Sequence, residues 1–359
     1  MKEFIEKNKA DLEAFAYMSQ KAGNRADYVQ GGGGNTSVKL ADGLMAIKAS
    51  GFCLSDIDID TAYALINLKG LQNFYNENTP ETLEDVEKDG AACTKENTVV
   101  LPGMSPLRPS VEAGFHSILK KFVCHTHSVY ANMCCCADEM CDIAEKAFAD
   151  APYSWGSVPY TDPGSNLTFA ILNEVARVKN KTGKEPAVIL MKNHGIIVHG
   201  DDENEVLNIH ADANERLAKA FGIKGDSFPK VELLQNGEDD FVLQLPFTAA
   251  LLKTGKYTVK TLLESPLYPD QMVFLIGSLF ENKEDLSDGE CSVCTKTGAL
   301  RLKMGKKKAC TISETVIAVL FISEQIQKCG YTISSMGEAA KKFIANWESE
   351  KYRKSLAGK

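Results

Sequence analysis

Apolar residues recur at two periods along this chain, one helical and one strand-like, and their alternation sketches an α/β protein. Residues 3–22 place Phe4, Ile5, Leu12, Phe15, Ala16 and Met18 at helical spacing, and Gly23 supplies a stop signal. Residues 36–40 and 44–48 read as two strands. Asp42-Gly43 between them is a hairpin signal, because a primed turn needs positive φ. A short apolar run covers residues 63–68. Residues 76–97 are polar and acidic, expected as surface turns around a short helix, and three prolines and a glycine make 99–109 a loop. Over residues 111–122, Val111, Phe115, Ile118, Leu119 and Phe122 form one apolar stripe of a helix, with Ser110 at its N-cap. A strand follows over 122–127. Residues 130–148 look helical, 152–164 are turn-rich, and 167–180 form an amphipathic helix. Strands at 187–191 and 196–198 precede a helix over 203–221 that Gly222 closes. Beyond a boundary near 225–245, strand-like runs at 272–276 and 300–302 alternate with helices near 313–328 and 335–353.

Length changes this picture by dividing it. At 359 residues the chain exceeds one average domain, so two are expected, over 1–225 and 226–359. With 44% apolar and 25% charged residues, a large core and little disorder are expected. A net charge of −8 argues against a nucleic-acid partner, while a locally positive site can still take an anionic substrate. No run of about 18 apolar residues predicts a membrane span, and the charged, amphipathic N-terminus is unlike a signal peptide, so a cytoplasmic location is expected. Eleven cysteines, three of them consecutive at 134–136, make a poor disulfide framework and read as free thiols. Cys291 and Cys294 form the one CxxC. A structural zinc site needs a second pair, and only Cys310 and Cys329 follow, at unhelpful spacing, so this pair is expected to be incidental.

Candidate chemistry concentrates in LRPSVEAGFHSILKKFVCHTHSVYAN, residues 107–132. His125 and His127 stand two residues apart on a predicted strand, which puts both imidazoles on one face. His194 follows a buried strand in Asn193-His194-Gly195. Three imidazoles with an open position are the donor set of a catalytic metal, zinc above all. Glu112 precedes the histidine strand by 13 residues, enough for one short helix and a turn to bring it back toward the metal as ligand or general base. His116, at i+4 from Glu112, reads as its support. His199 and His210 have no partner pattern and read as ordinary residues. The four glycines at 31–34 fit either a flexible loop or a backbone closely approaching a ligand, with open N–H groups for a phosphate. They form neither a P-loop nor a dinucleotide fingerprint, because no Gly-Lys-Ser/Thr and no helix follows.

GGGGNTSVK, KASG, RPSVEAGFH, HTH and NHG occur here in an order and spacing that resembles the class II aldolase/adducin family, over roughly residues 25–215. That family includes fuculose- and rhamnulose-phosphate aldolases and ribulose-phosphate 4-epimerases. SVPYTDPGS, SPLYPDQMV and FIANWESEKYRK are similar to segments in the aldolase half of bifunctional rhamnulose-1-phosphate aldolase/lactaldehyde dehydrogenase proteins, whose dehydrogenase half is not expected here. The resemblance implies a three-layer α/β/α sandwich around a mostly antiparallel sheet, with a smaller C-terminal α/β domain. It implies reversible cleavage of a ketose 1-phosphate to dihydroxyacetone phosphate and an aldehyde. Residue by residue, it implies His125, His127 and His194 as ligands of Zn2+ or another divalent metal and Glu112 as the catalytic acid/base. It implies Gly34 with Asn35, Ser50 with Gly51, and Ser110 as substrate phosphate contacts. Val111 replaces the second serine of the family's pair and has no hydroxyl to offer; Arg108 and Lys48 are nearby cations that could compensate. The family's C-terminal tyrosine has no secure counterpart here. The expected partners are a small sugar phosphate and further copies of the chain, a tetramer by family precedent. A pentulose-phosphate 4-epimerase or a sugar-phosphate dehydratase would use the same scaffold. A non-enzymatic adducin-like interaction protein would lack the three histidines.

Overall fold

The computed structural model describes residues 1–346, so the last part of the helix expected over 335–353, and most of FIANWESEKYRK, lie outside the described residues. Its larger sheet has eight strands: β1 (Asn35–Lys39), β2 (Leu44–Lys48), β3 (Tyr63–Asn67), β4 (Thr98–Val99), β5 (Phe122–Thr126), β6 (Trp155–Val158), β7 (Val188–Met191) and β8 (Gly195–Gly200). The order is β4-β3-β2-β1-β5-β8-β7-β6, antiparallel throughout except for the β6–β7 pair. Strand β5 is therefore central, with β1 on one side, where Asn35 faces His125, and β8 on the other.

Both faces of this sheet are covered, and β2, β3, β7 and β8 are largely apolar runs for that reason. Alternate residues enter different clusters. Val188, Leu190, Ile196 and Val198 pack beneath the Lys9–Gly23 and Glu203–Ala220 helices. Ile189, Met191 and Ile197 pack with Phe115, Leu167 and Ile171 on the opposite side. The result is an α/β/α sandwich around a mostly antiparallel sheet, as expected.

A second sheet follows: β9 (Leu233–Gly237), β10 (Asp240–Leu243), β11 (Leu279–Glu281), β12 (Glu290–Cys294) and β13 (Ala299–Lys303), in the order β11-β12-β13-β10-β9. The Lys306–Lys328 helix joins the two parts. Its Phe321 packs edge-on against Tyr130 and Phe228, within one core that runs from Leu12 to Ile326. This helix is long and apolar enough to cross a bilayer, but 83% of its apolar window is buried in protein, which marks it as a core helix.

Several expectations are corrected. Residues 272–276 are no strand: Pro269 opens a helix, Pro269–Leu275, where its fixed φ suits the first turn. The helix expected over 111–122 is only Ala113–Ile118, because Leu119 is already extended to lead into β5. Its N-cap residue is Glu112, and Ser110 instead accepts the Glu112 N–H at 3.3 Å through its hydroxyl. The stretch 130–148 breaks into Val129–Cys135 and Met140–Ala147. The polar stretch 76–97 holds the Val86–Glu96 helix, and the Leu68–Glu77 helix had no counterpart in the pattern. The turn-rich stretch 152–164 contains β6. All eleven cysteines are free thiols.

Candidate metal centre

Strand β5 delivers His125 from mid-sheet and ends at Thr126, so His127 sits one residue past it on the same face. The turn between β7 and β8 delivers His194. Asn193, just before it, adopts positive φ (52°), a conformation asparagine tolerates better than most residues. The three histidines are buried, and each offers a ring nitrogen within 4.8 Å of the other two. His125 Nε2 and His127 Nε2 lie 3.1 Å apart.

Each β5 histidine is oriented from behind. His125 Nδ1–H donates to the Ile196 carbonyl at 3.0 Å, leaving Nε2 with a lone pair facing the cluster. His127 Nδ1–H donates to the Asp270 carboxylate, with the same consequence for its Nε2. Between them, Thr126 turns to the other face and bonds His210 Nε2 at 2.7 Å. His210, expected to be ordinary, thus steadies the ligand strand, and Asn214 holds it in turn. His199 lies at the far end of β8, and its Nδ1 accepts the Lys120 N–H.

The turn before the Ala113–Ile118 helix brings Glu112 to the cluster. One of its oxygens is 3.2 Å from His194 Nε2 and the other 3.6 Å from His125 Nε2. Burial works to raise the Glu112 carboxyl, but the facing His125 and His194 and the hydrogen bond from Asn35 outweigh it. The group is held well below the usual carboxylate range. Burial likewise pushes His125 well below the usual imidazole range, against the opposing pull of Glu112.

Asn35 connects carboxylate to scaffold. Its amide donates to Glu112 at 2.6 Å and to the Ser110 hydroxyl at 3.1 Å. Its carbonyl oxygen accepts from His116 Nε2–H, so His116 Nδ1 accepts from the Ser37 hydroxyl at 2.7 Å. Burial lowers His116 to about 3, so it stays neutral and acts as the support the sequence suggested. Ser110 accepts twice, from Asn35 and from the Glu112 N–H, which leaves its own proton to donate.

Ser50 adjoins this group. Its N–H donates to the Arg108 carbonyl and its hydroxyl to the Pro109 carbonyl, and Gly51 follows with φ of 92°. Lys48 is buried and donates to the carbonyls of Gly32 and Phe52, whereas Arg108 is exposed.

The glycine run closes on protein. A Cβ on Gly31 would lie 2.4 Å from Thr311, one on Gly33 2.3 Å from Asp270, and one on Gly34 2.5 Å from the His125 carbonyl. The run packs closely on protein, and the surfaces it approaches are strand β5 and the C-terminal helices. Asp270 was missed because its segment read as a strand. Tyr-Pro-Asp, a proline followed by an acid at a helix start, was the signal that could have located it.

The donor set fits a divalent ion. Three buried imidazoles converge, and among the described residues neither Glu112 Oε1 nor His194 Nδ1 has a hydrogen-bond partner. Buried polar atoms without partners are rare and mark a site that something else completes. No second group of histidine, cysteine or carboxylate donors close enough to hold a metal occurs among the described residues, Cys291 and Cys294 included.

No curated protein matches the chain. Solved structures with a similar fold include the N-terminal class II aldolase domain of a conserved protein from Thermoplasma acidophilum (25% identity, 58% of this chain and 92% of that one, TM-score 0.48). A sugar-phosphate aldolase from Thermotoga maritima is 16% identical over 59% of this chain and 92% of its own, with a TM-score of 0.40. An L-fuculose-1-phosphate aldolase from Thermus thermophilus is 13% identical over 59% and 93%, with a TM-score of 0.35. Residues 13–221, more than half of the sequence, match the family described as Class II Aldolase and Adducin N-terminal domain, and the chain belongs to that family.

Proposed function

We propose that this protein is a divalent-metal aldolase, zinc-dependent, that reversibly cleaves a ketose 1-phosphate of the rhamnulose or fuculose type to dihydroxyacetone phosphate and an aldehyde. The observation that carries the reading is the convergence of His125, His127 and His194 on one point, with the Glu112 carboxylate 3.2 Å from His194. A metal held by the three imidazoles supplies Lewis-acid polarisation of the substrate's carbonyl and hydroxyl oxygens.

The remaining chemistry falls to the chain's own groups. In the condensation direction Glu112, ionised and buried, takes the proton from the carbon next to the carbonyl of dihydroxyacetone phosphate; in cleavage the C4 hydroxyl gives up its proton as the C3–C4 bond breaks, and Glu112 returns a proton to C3. Asn35 holds the carboxylate in line, and His116 holds Asn35. The phosphate is held by the free proton of Ser110 and the backbone N–H groups of Gly34 and Gly51, with Asn35 and Ser50 shaping the pocket because the Asn35 amide and the Ser50 N–H and hydroxyl are engaged within the protein. Residues 1–225 act as the catalytic unit and residues 226–359 as an extension that buttresses it. The working form is a homo-oligomer in the cytoplasm.

Val111 supports a second reading, a 4-epimerase or a dehydratase on the same scaffold, because it offers no hydroxyl beside Ser110. Products separate the two. Release of dihydroxyacetone phosphate from one of rhamnulose, fuculose, fructose or xylulose 1-phosphate, abolished by a chelator, is the expected result. Zinc-loaded protein that converts a sugar phosphate without producing two fragments would replace the aldolase reading with the second. Glu112→Gln is expected to lower turnover by about 10²–10⁴-fold while leaving the metal content unchanged.

A further inference from the structure

The C-terminal part reaches the immediate surroundings of the histidine cluster through Tyr268, whose ring packs edge-on against His127, and through Asp270. Asp270 is fully buried in the first turn of the Pro269–Leu275 helix, and its carboxylate accepts the Nδ1–H of His127 across 143 residues of sequence. Burying a carboxylate is costly unless it is paired, so this contact has to be built, and the surrounding structure shows how.

Four residues hold Asp270 and its segment in place. Gly33 leaves it room, since a Cβ there would sit 2.3 Å from the Asp270 oxygen and 3.0 Å from His127 Nδ1. Gln271 ties its own turn down, accepting from the Leu267 N–H at 2.7 Å and donating to the Leu262 carbonyl at 2.6 Å. Asn193, the residue before ligand His194, donates to the Leu267 carbonyl at 2.9 Å, and Tyr268 donates to Gln30 at 3.3 Å. The segment 267–271 is thus fastened to the glycine loop on one side and to the His194 turn on the other.

We propose that Asp270 is the positioning residue of the metal centre. It fixes the His127 tautomer and aims Nε2 at the shared point, so the C-terminal part sets how tightly the metal is held. A carboxylate behind a ligating histidine does this in metal sites generally, and losing it costs about 10–100-fold in metal affinity. His125 has only a neutral carbonyl behind it, so His127 is the ligand whose strength depends on a charge. The proposal rests on the three-histidine reading above.

The test is zinc affinity by chelator competition, together with the visible spectrum of cobalt-substituted protein, for wild type, Asp270→Asn and Asp270→Ala. Asn keeps the shape and an acceptor oxygen but loses the charge. It is expected to weaken zinc by about tenfold, and Ala by about 100-fold, with shifted cobalt bands in both. Gly33→Ala should reproduce the loss by displacing the carboxylate, and Gly33→Ala with Asp270→Ala should lose less than the sum of the two. If Ala prevents folding, judged by far-ultraviolet circular dichroism of the metal-free protein, the Asn variant decides. Wild-type affinity and an unshifted cobalt spectrum in Asp270→Asn and Asp270→Ala would overturn the proposal. A wild-type protein that binds neither metal would overturn the three-histidine reading itself.

Discussion

The two sheets of this protein divide the labour unequally. The part built on the eight-stranded sheet carries all six histidines and every group with a direct claim on the chemistry. The five-stranded sheet and its helices carry none of the histidines, and β9 is largely exposed. Yet Asp270 and some of the residues against which the glycine loop closes come from this second part. Reactive groups need a rigid strand to stand on, whereas their orientation can be supplied by any element that reaches behind them.

This contrast can be broken at several strengths. Removing a ligand should do the most damage: His125→Ala is expected to weaken zinc well beyond the roughly hundredfold ascribed to an orienting carboxylate. Retained zinc by elemental analysis would move the centre elsewhere. Next is the seam between the parts. Phe321 is buried against Tyr130 and Phe228, so Phe321→Ala should cost about 3–5 kcal/mol in urea unfolding. A cost below about 1 kcal/mol would show that the two parts are held together by something other than this core.

Acid should weaken the histidine-bearing part by a similar amount. Burial lowers His116 and His210 to about 3 and His199 to about 4, below the unfolded value near 6.5. The unfolded chain therefore binds these protons first, so their contribution is intact above pH 6.5 and is lost as pH falls toward 4. These three rings make the protein about 3–4 kcal/mol less stable at pH 5.5 than at pH 7. Urea midpoints that do not move between those pH values would show at least one of them to be charged or exposed. The smallest effect tests the second sheet. Cys294→Ser should change stability by less than about 0.5 kcal/mol and leave the metal content as it was.

Much of the site was legible because it is local. The i, i+2 pair His125/His127 follows from strand geometry, and Asn193-His194-Gly195 marked itself as a turn. Strands β2, β5, β7 and β8 could be read because their apolar residues are buried on both faces, and β1, with Val38 as its one apolar residue, because Asp42-Gly43 marks a hairpin turn beside it. What escaped depends on distance or context. The stripe from Val111 to Phe122 has helical spacing, but the need to enter β5 ends the helix at Ile118. Met272, Val273, Phe274 and Leu275 look strand-like in isolation and are helical because Pro269 starts a turn there. Periodicity is silent on what lies behind a ligand 143 residues away.

That separation also sets a schedule for the newborn chain. When His127 leaves the ribosome, Asp270 has yet to be made, and at 5–20 residues per second the gap lasts roughly 7–30 seconds. During that interval the central strand can pair with its neighbours, but the imidazole of His127 has no carboxylate to hold its proton. The cluster reaches its finished geometry only after translation has passed the second sheet's first strands, so the orientation of His127 is settled late in this protein's synthesis.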